Sequence, residues 1–193
     1  EDFTVKGGSI GRAESAKRYR IAELALQERI PLIMLLEGAG HRPPLPDDPP
    51  SFRTPGDLQA QADASGRIPL ATAVLGPSAG HGALSAPLAD FTVMTEQASI
   101  FTAGPPLVKA SLGEDITKEE LGGPGIALHS GVIHKIASND DSALEQIRTW
   151  LSYLPSSAWQ TPTRLADAEG ERTVNELLNI IPENPRQAYD MHE

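Results

Sequence analysis

Three segments of strand-like composition run straight into glycine, and that recurrence constrains the fold more than any other feature. Phe3-Thr4-Val5 meets Lys6-Gly7-Gly8-Ser9. Residues 31–36 meet Glu37-Gly38-Ala39-Gly40-His41. Residues 68–75 meet Gly76-Pro77-Ser78-Ala79-Gly80-His81-Gly82. The first and third lead directly into helix-like sequence. Repeated strand, glycine turn and helix units specify an α/β fold with helices covering a sheet.

The rest of the chain fits that scheme. Ser9 is a plausible helix N-cap, and residues 10–27 carry Ala13, Ala16, Ile21, Leu24 and Ala25 along or near one helical face. The run 31–36 is continuously apolar, as in a strand covered on both faces. A proline-rich loop follows over 43–55. Residues 58–64 are a short helix, 68–75 a strand ended by Gly76-Pro77, and 80–88 a helix with small residues on one face. Strands are expected at 90–94 and 100–102, and a helix at 105–112 closed by Gly113. Thr117 and Glu120 have capping-box spacing. Residues 121–131 are expected as glycine-rich loop and 132–137 as extended chain. Residues 142–154 form an amphipathic helix through Ala143, Leu144, Ile147, Trp150, Leu151 and Leu154, and 174–181 a last one. Asp2-Phe3-Thr4-Val5 recurs as Asp90-Phe91-Thr92-Val93, a weak hint of a repeated strand–strand–helix unit.

Charge and composition exclude several classes. A net charge of -10 argues against a nucleic-acid backbone binder. The chain has no cysteine, which removes disulfides, thiolate nucleophiles and Cys-type zinc sites. The longest apolar run is far below the roughly 20 residues of a membrane span. No basic–apolar–small signal pattern opens the chain, so the expectation is a soluble cytoplasmic protein. The chain opens on Glu1, Phe3-Thr4-Val5 reads as the end of a strand already under way, and the chain is expected to be a fragment.

The glycine stretches are where chemistry is expected. Backbone N–H groups at such turns have no intrahelical partner, and glycine or alanine lets a ligand atom approach them. Two such groups aimed at one point stabilise an oxyanion. No GxGxxG or P-loop spacing is present. The five histidines, His41, His81, His129, His134 and His192, form no ligand pair, so no metal site is expected. His41 and His81 stand out because both sit in candidate loops. Ser78 lies in a loose approximation to a nucleophile elbow. Glu37, Asp90 and Glu96 are possible acids or bases, Glu37 through desolvation at a strand end. Capping and ion-pair roles are the commoner fate of such groups.

In order along the chain stand Asp2-Phe3-Thr4-Val5-Lys6-Gly7-Gly8-Ser9, Ala64-Ser65-Gly66-Arg67-Ile68-Pro69, Gly76-Pro77-Ser78-Ala79-Gly80 and Asp90-Phe91. Gly104-Pro105-Pro106-Leu107-Val108-Lys109, Glu119-Glu120-Leu121-Gly122-Gly123, His129-Ser130-Gly131-Val132 and Asn139-Asp140 follow. This series resembles the N-terminal domain of the carboxyltransferase β subunits of biotin-dependent acyl-CoA carboxylases, the propionyl-CoA and methylcrotonyl-CoA type. The resemblance runs from Asp2 to about Pro155, with 162–189 similar to the family's linker.

The resemblance implies a crotonase/ClpP-like repeated ββα superhelix over 1–160, with its first strands missing, and a linker or tail over 161–193 toward an absent C-terminal domain. It implies an acyl-CoA substrate, carboxybiotin carried by a partner subunit, a homo-oligomer that is hexameric in the full-length family, and no metal. The family forms an acyl-CoA enolate, stabilised by backbone amides, that attacks CO2. Carried over by motif, the Gly80 and His81 amides are the oxyanion hole. Gly7, Gly8, Ala39, Gly40, Ala79 and Gly82 shape the acyl-CoA site. The chain departs from the family where S-G-G-A-R becomes Gly38-Ala39-Gly40-His41-Arg42, and where A-G-G-A becomes Ala79-Gly80-His81-Gly82. Two alternatives stay open: a crotonase-like hydratase or isomerase, which needs positioned carboxylates, and a non-catalytic scaffold subunit.

Overall fold

A computed structural model describes residues 2–43, 56–163 and 179–189. The chain forms two compact units, Glu1–Pro162 and Thr163–Glu193. The described part of the second consists of turns, one closed by the Arg186 N–H donating to Asn184 Oδ1 at 3.1 Å. Most of the helix expected over 174–181, and nearly all of the proline-rich loop, lie outside the described residues.

The first unit runs α1 (Arg12–Glu28), β1 (Leu32–Gly38), α2 (Asp57–Ala64), β2 (Leu70–Ala79), α3 (Gly80–Ala83), β3 (Phe91–Thr95) and β4 (Ser99–Phe101). It continues with α4 (Pro105–Leu112), α5 (Lys118–Gly122), α6 (Pro124–His129), β5 (Lys135–Ala137) and α7 (Asp140–Ser152). The strands are parallel in the order β1-β2-β3-β5, and β4 pairs with the far end of β2. β2 is the central strand, buried from Leu70 to Val74. Its side chains alternate between faces as strand geometry requires. Leu70 packs with Ala22, Ala25, Ala60 and Ala64 of α1 and α2. Ala71 and Ala73 point the other way, into Phe91, Val93, Ala143 and Ile147 beneath α7. Val74 joins Leu36, Met94 and Ile133.

Several elements match expectation for local reasons. Thr117 Oγ1 accepts from the Glu120 N–H at 3.2 Å while Glu120 Oε2 accepts from the Thr117 N–H at 2.9 Å, completing the capping box. Asn139 caps α7 through the Ser142 N–H at 2.9 Å.

Others differ. Phe3-Thr4-Val5 is a turn, not a strand. Asp2 Oδ1 accepts from the Thr4 N–H at 2.9 Å, an Asx-type turn that competes with extended pairing. The identical tetrapeptide at Asp90 enters β3, because there Asp90 Oδ2 takes the Leu70 N–H at 2.8 Å and the backbone has a parallel partner. The repeat is therefore not structural. Gly11, not Ser9, is the N-cap of α1. The buried stripe of α1 is Ser15, Ala22 and Ala25, while Ile21 and Leu24 are exposed. β1 is an edge in the sheet order, with Leu35 44% exposed, so it is not covered on both faces. Gly76-Pro77 does not end β2, which continues to Ala79 by pairing with β4. The helix expected over 80–88 splits into α3 and a separate 3-10 turn at Ala86–Leu88. The expected loop over 121–131 holds the end of α5 and all of α6, whose Pro124 occupies the favoured first helical position.

Candidate functional site

The three glycine stretches meet. The Ala39 N–H donates to the Gly7 carbonyl at 2.8 Å, the Ile10 N–H to the Gly40 carbonyl at 2.7 Å and the Arg42 N–H to the Ile10 carbonyl at 2.7 Å. Arg42 reinforces this seam with Nη2 on the Ser9 carbonyl at 2.9 Å. The turn after β1 then lies against the end of β2. A Cβ on Gly40 would stand 2.8 Å from the Ala79 carbonyl oxygen, and Gly40 itself has φ +84. Both facts require glycine there. Gly80 has φ +56, and its ideal Cβ position is 3.7 Å from Gly40 Cα and 3.8 Å from the Thr102 carbonyl oxygen. The backbones of Gly7, Gly8, Ala39, Gly40, Ala79 and Gly80, which carry at most a methyl group, thus form one junction.

α3 has only four residues, and no side chain caps it. Its macrodipole is negligible at that length, so any anion attraction here comes from individual N–H groups. Beside the junction lies an apolar cavity of about 420 Å³ lined by Ala83, Phe101, Thr102, Val108, Leu121 and Ile126 among others. Thr102 is the residue the cavity shares with the surroundings of Gly80.

A buried ion-pair cluster stands beside the junction. His81 does not project as bulk alone: its Nε2 meets Asp57 Oδ1 at 2.7 Å. Asp57 begins α2, and its side chain is 1% exposed. Its other oxygen accepts from Arg18 Nε at 2.7 Å, and Ser15 Oγ donates to Oδ1 at 3.1 Å. Arg18 Nη2 reaches Ser85 Oγ at 2.8 Å. The His41 and His81 ring centroids are 5.0 Å apart. Burial pushes the Asp57 carboxyl up, but the hydrogen bonds from His81 and Arg18 and the guanidinium charge outweigh it, so Asp57 titrates below the ordinary Asp value. Spacing could not reveal this cluster, because Asp57 stands 39 residues from Arg18 and 24 from His81.

The Asp57 shift makes stability depend on acid pH. A carboxylate that binds its proton more weakly when folded contributes fully above the ordinary Asp value of 3.8. That contribution is lost as pH falls through the lower folded value. Stability plotted between about pH 5 and pH 2 is expected to fall less steeply in Asp57→Asn than in the parent. Parallel slopes in urea titrations would contradict this.

The other candidates fall outside the junction chemistry. Glu37 lies against Gly76, whose ideal Cβ position is 2.6 Å from Glu37 Oε1, in a shift of the β1–β2 register. Asp90 is committed to the Leu70 N–H. Glu96 is exposed. Ser78 is 1% exposed and its Oγ has no hydrogen-bond partner among the described residues, a position closed to substrate. His134 accepts from the Thr92 N–H through Nδ1 at 3.0 Å and stacks on Phe91, a structural role. His129 is exposed at the end of α6 and His192 lies outside the described residues. Among the described residues no group of three or more His, Asp or Glu is placed to hold a metal ion. No described helix is long and apolar enough to cross a membrane.

The chain is similar to known proteins over its whole length. The carboxyltransferase subunit of propionyl-CoA carboxylase from Haloferax mediterranei is 36% identical over 196 residues, spanning 100% of this chain and 38% of that protein. The biotin-dependent acetyl-/propionyl-coenzyme A carboxylase beta5 subunit of Mycobacterium leprae is 37% identical over 204 residues, again 100% of this chain and 37% of the relative. The crystal structure of the transcarboxylase 12S hexamer, with methylmalonyl-coenzyme A and methylmalonic acid bound, superimposes with a TM-score of 0.75. Identity there is 32%, over 98% of this chain and 37% of that one. The chain thus spans little more than a third of the relatives it matches. The architecture is the crotonase-like α/β fold that the motif series implied. The carboxyl transferase domain profile matches residues 1–193, and the chain belongs to that family.

Proposed function

We propose that this chain is the acyl-CoA-holding N-terminal domain, residues 1–160, of a biotin-dependent carboxyltransferase subunit. Residues 161–193 then lead as a linker toward a further domain. The observation that carries the reading is the junction of the three glycine stretches. It is a surface of bare backbone, with Gly40 and Gly80 kept free of Cβ atoms, beside an apolar cavity. A thioester carbonyl needs such close approach to amide donors.

In this reading the Gly80 and His81 amides hold the thioester oxygen as it gains charge. Gly7, Gly8, Ala39, Gly40, Ala79 and Gly82 shape the path of the CoA arm, and the cavity at Ala83 and Val108 receives the acyl chain. Carboxybiotin, carried by a partner subunit in a homo-oligomer, supplies the carboxyl group and the base. In carboxyl transfer the protein's own part is to bind, orient and stabilise the enolate. The hydratase alternative gains nothing from the structure, because Glu37 lies against Gly76 and Asp57 is tied to Arg18 and His81.

Gly80→Ala in the full-length subunit tests this. Alanine is disfavoured at the φ of +56 found there by roughly 1–2 kcal/mol, so the peptide carrying these amides shifts. A displacement near 1 Å costs on the order of 100-fold in rate. The expected result is kcat for propionyl-CoA carboxylation down about 100-fold with KM changed only severalfold. An unchanged kcat in folded protein would remove the Gly80–His81 amides from the mechanism.

A further inference from the structure

His81 stands at the start of α3, and its side chain meets a buried carboxylate. Neutral imidazole bonded to a carboxylate through Nε2 must carry its proton on Nε2, leaving Nδ1 as the base. The structure gives Nδ1 no hydrogen-bond partner among the described residues. Asp57 is anchored by Arg18 Nε at 2.7 Å and Ser15 Oγ at 3.1 Å, so it holds the ring in one orientation. This is the logic of a carboxylate-oriented histidine base, in which the carboxylate fixes the tautomer and stabilises the imidazolium that forms. The ring remains 22% exposed. It follows Gly80, whose ideal Cβ position is 3.7 Å from Gly40 Cα, and its ring lies 5.0 Å from the ring of His41, which follows Gly40. The groups around it are Asp57 at the start of α2, Arg18 and Ser15 on α1, and His41 after β1.

We infer that His81, oriented by Asp57, is a proton-transfer base toward the α-carbon of a bound acyl-CoA thioester. It gives the subunit an α-proton exchange activity that requires no biotin. The inference rests on the acyl-CoA reading above. Nδ1 takes the α-proton. The electrons of the broken C–H bond move into the enolate, whose oxygen charge the Gly80 and His81 amides hold. The imidazolium then exchanges its Nδ1 proton with water and returns a hydron to the same carbon. Water is the only co-reactant, and no oxidation state changes. Asp57 is a positioning residue in this scheme.

The test uses the full-length subunit without its biotinylated partner and with avidin present to capture stray biotin. Propionyl-CoA is incubated in D2O, loss of the α-proton signal is followed by NMR, and binding is measured in parallel by calorimetry. The parent is expected to exchange α-protons at saturating propionyl-CoA. His81→Gly leaves Asp57 bonded to Arg18 and Ser15, so folding is retained. It is expected to lower the exchange rate at least about 100-fold, the contribution typical of a positioned base. Asp57→Asn is expected to lower the saturated exchange rate about tenfold or more while calorimetry still detects bound propionyl-CoA. Parent protein that binds propionyl-CoA without exchange, or exchange unaltered in His81→Gly, overturns this inference and leaves the carboxyltransferase reading standing. Parent protein that binds no propionyl-CoA overturns that reading, and this inference with it.

Discussion

Arg18→Met is expected to destabilise the first unit by about 3–5 kcal/mol, the usual result of stranding one member of a buried ion pair. The Asp57 side chain is 1% exposed and that of Arg18 11%. Methionine keeps the apolar stem of Arg18 but removes the guanidinium that offsets the carboxylate. Asp57 then keeps only Ser15 and the His81 ring. The energy lies mostly in the uncompensated charge rather than in the pair, so Arg18→Met combined with Asp57→Leu is expected to recover most of the loss. Denaturant midpoints of the parent, single and double variants decide it. A single variant within about 1 kcal/mol of the parent would mean that water or a neighbour solvates Asp57 more fully than this packing allows.

Gly122→Ala is expected to abolish soluble folding. A Cβ at Gly122 would overlap the Ile100 carbonyl of β4, a backbone group that no rotamer change can move. Relief requires α5 and β4 to separate, at a cost of about 3 kcal/mol or more. β4 holds the end of β2 through the pairs Pro77–Ser99, Ser78–Ile100 and Ala79–Phe101, immediately before Gly80. Partial accommodation would therefore disturb the glycine junction as well. Gly125→Ala is the matched control. Its Cβ meets nothing within 4 Å inside α6, so it should be neutral or stabilising by up to about 1 kcal/mol. Soluble yield and thermal midpoint compare the two, and a Gly122→Ala protein as stable as Gly125→Ala would contradict the packing.

Features governed by neighbours in sequence were legible without coordinates. The Thr117–Glu120 capping box, the α4 helix closed by Gly113 and the apolar stripe of α7 are set by spacings of a few residues. The glycine turns were legible for the same reason, because a positive φ demands glycine at the turn itself. Their ordered series sufficed to indicate the family.

What tertiary structure decided was every outcome that depends on a distant partner. Asp-Phe-Thr-Val is a turn at Asp2 and a strand at Asp90, since only the second copy meets a parallel neighbour. The buried stripe of α1 was misplaced because it runs through Ser15 and Arg18, which hydrophobic periodicity does not count as core. Those residues face inward to satisfy Asp57, and Asp57 in turn holds His81. A buried charge tolerates burial only beside its partner. Here chain separations of 39 and 24 residues close to contact only when α1, α2 and the end of β2 pack together. Local rules therefore fixed the individual glycine turns, while their meeting at one junction and the side-chain chemistry beside it came from folding alone.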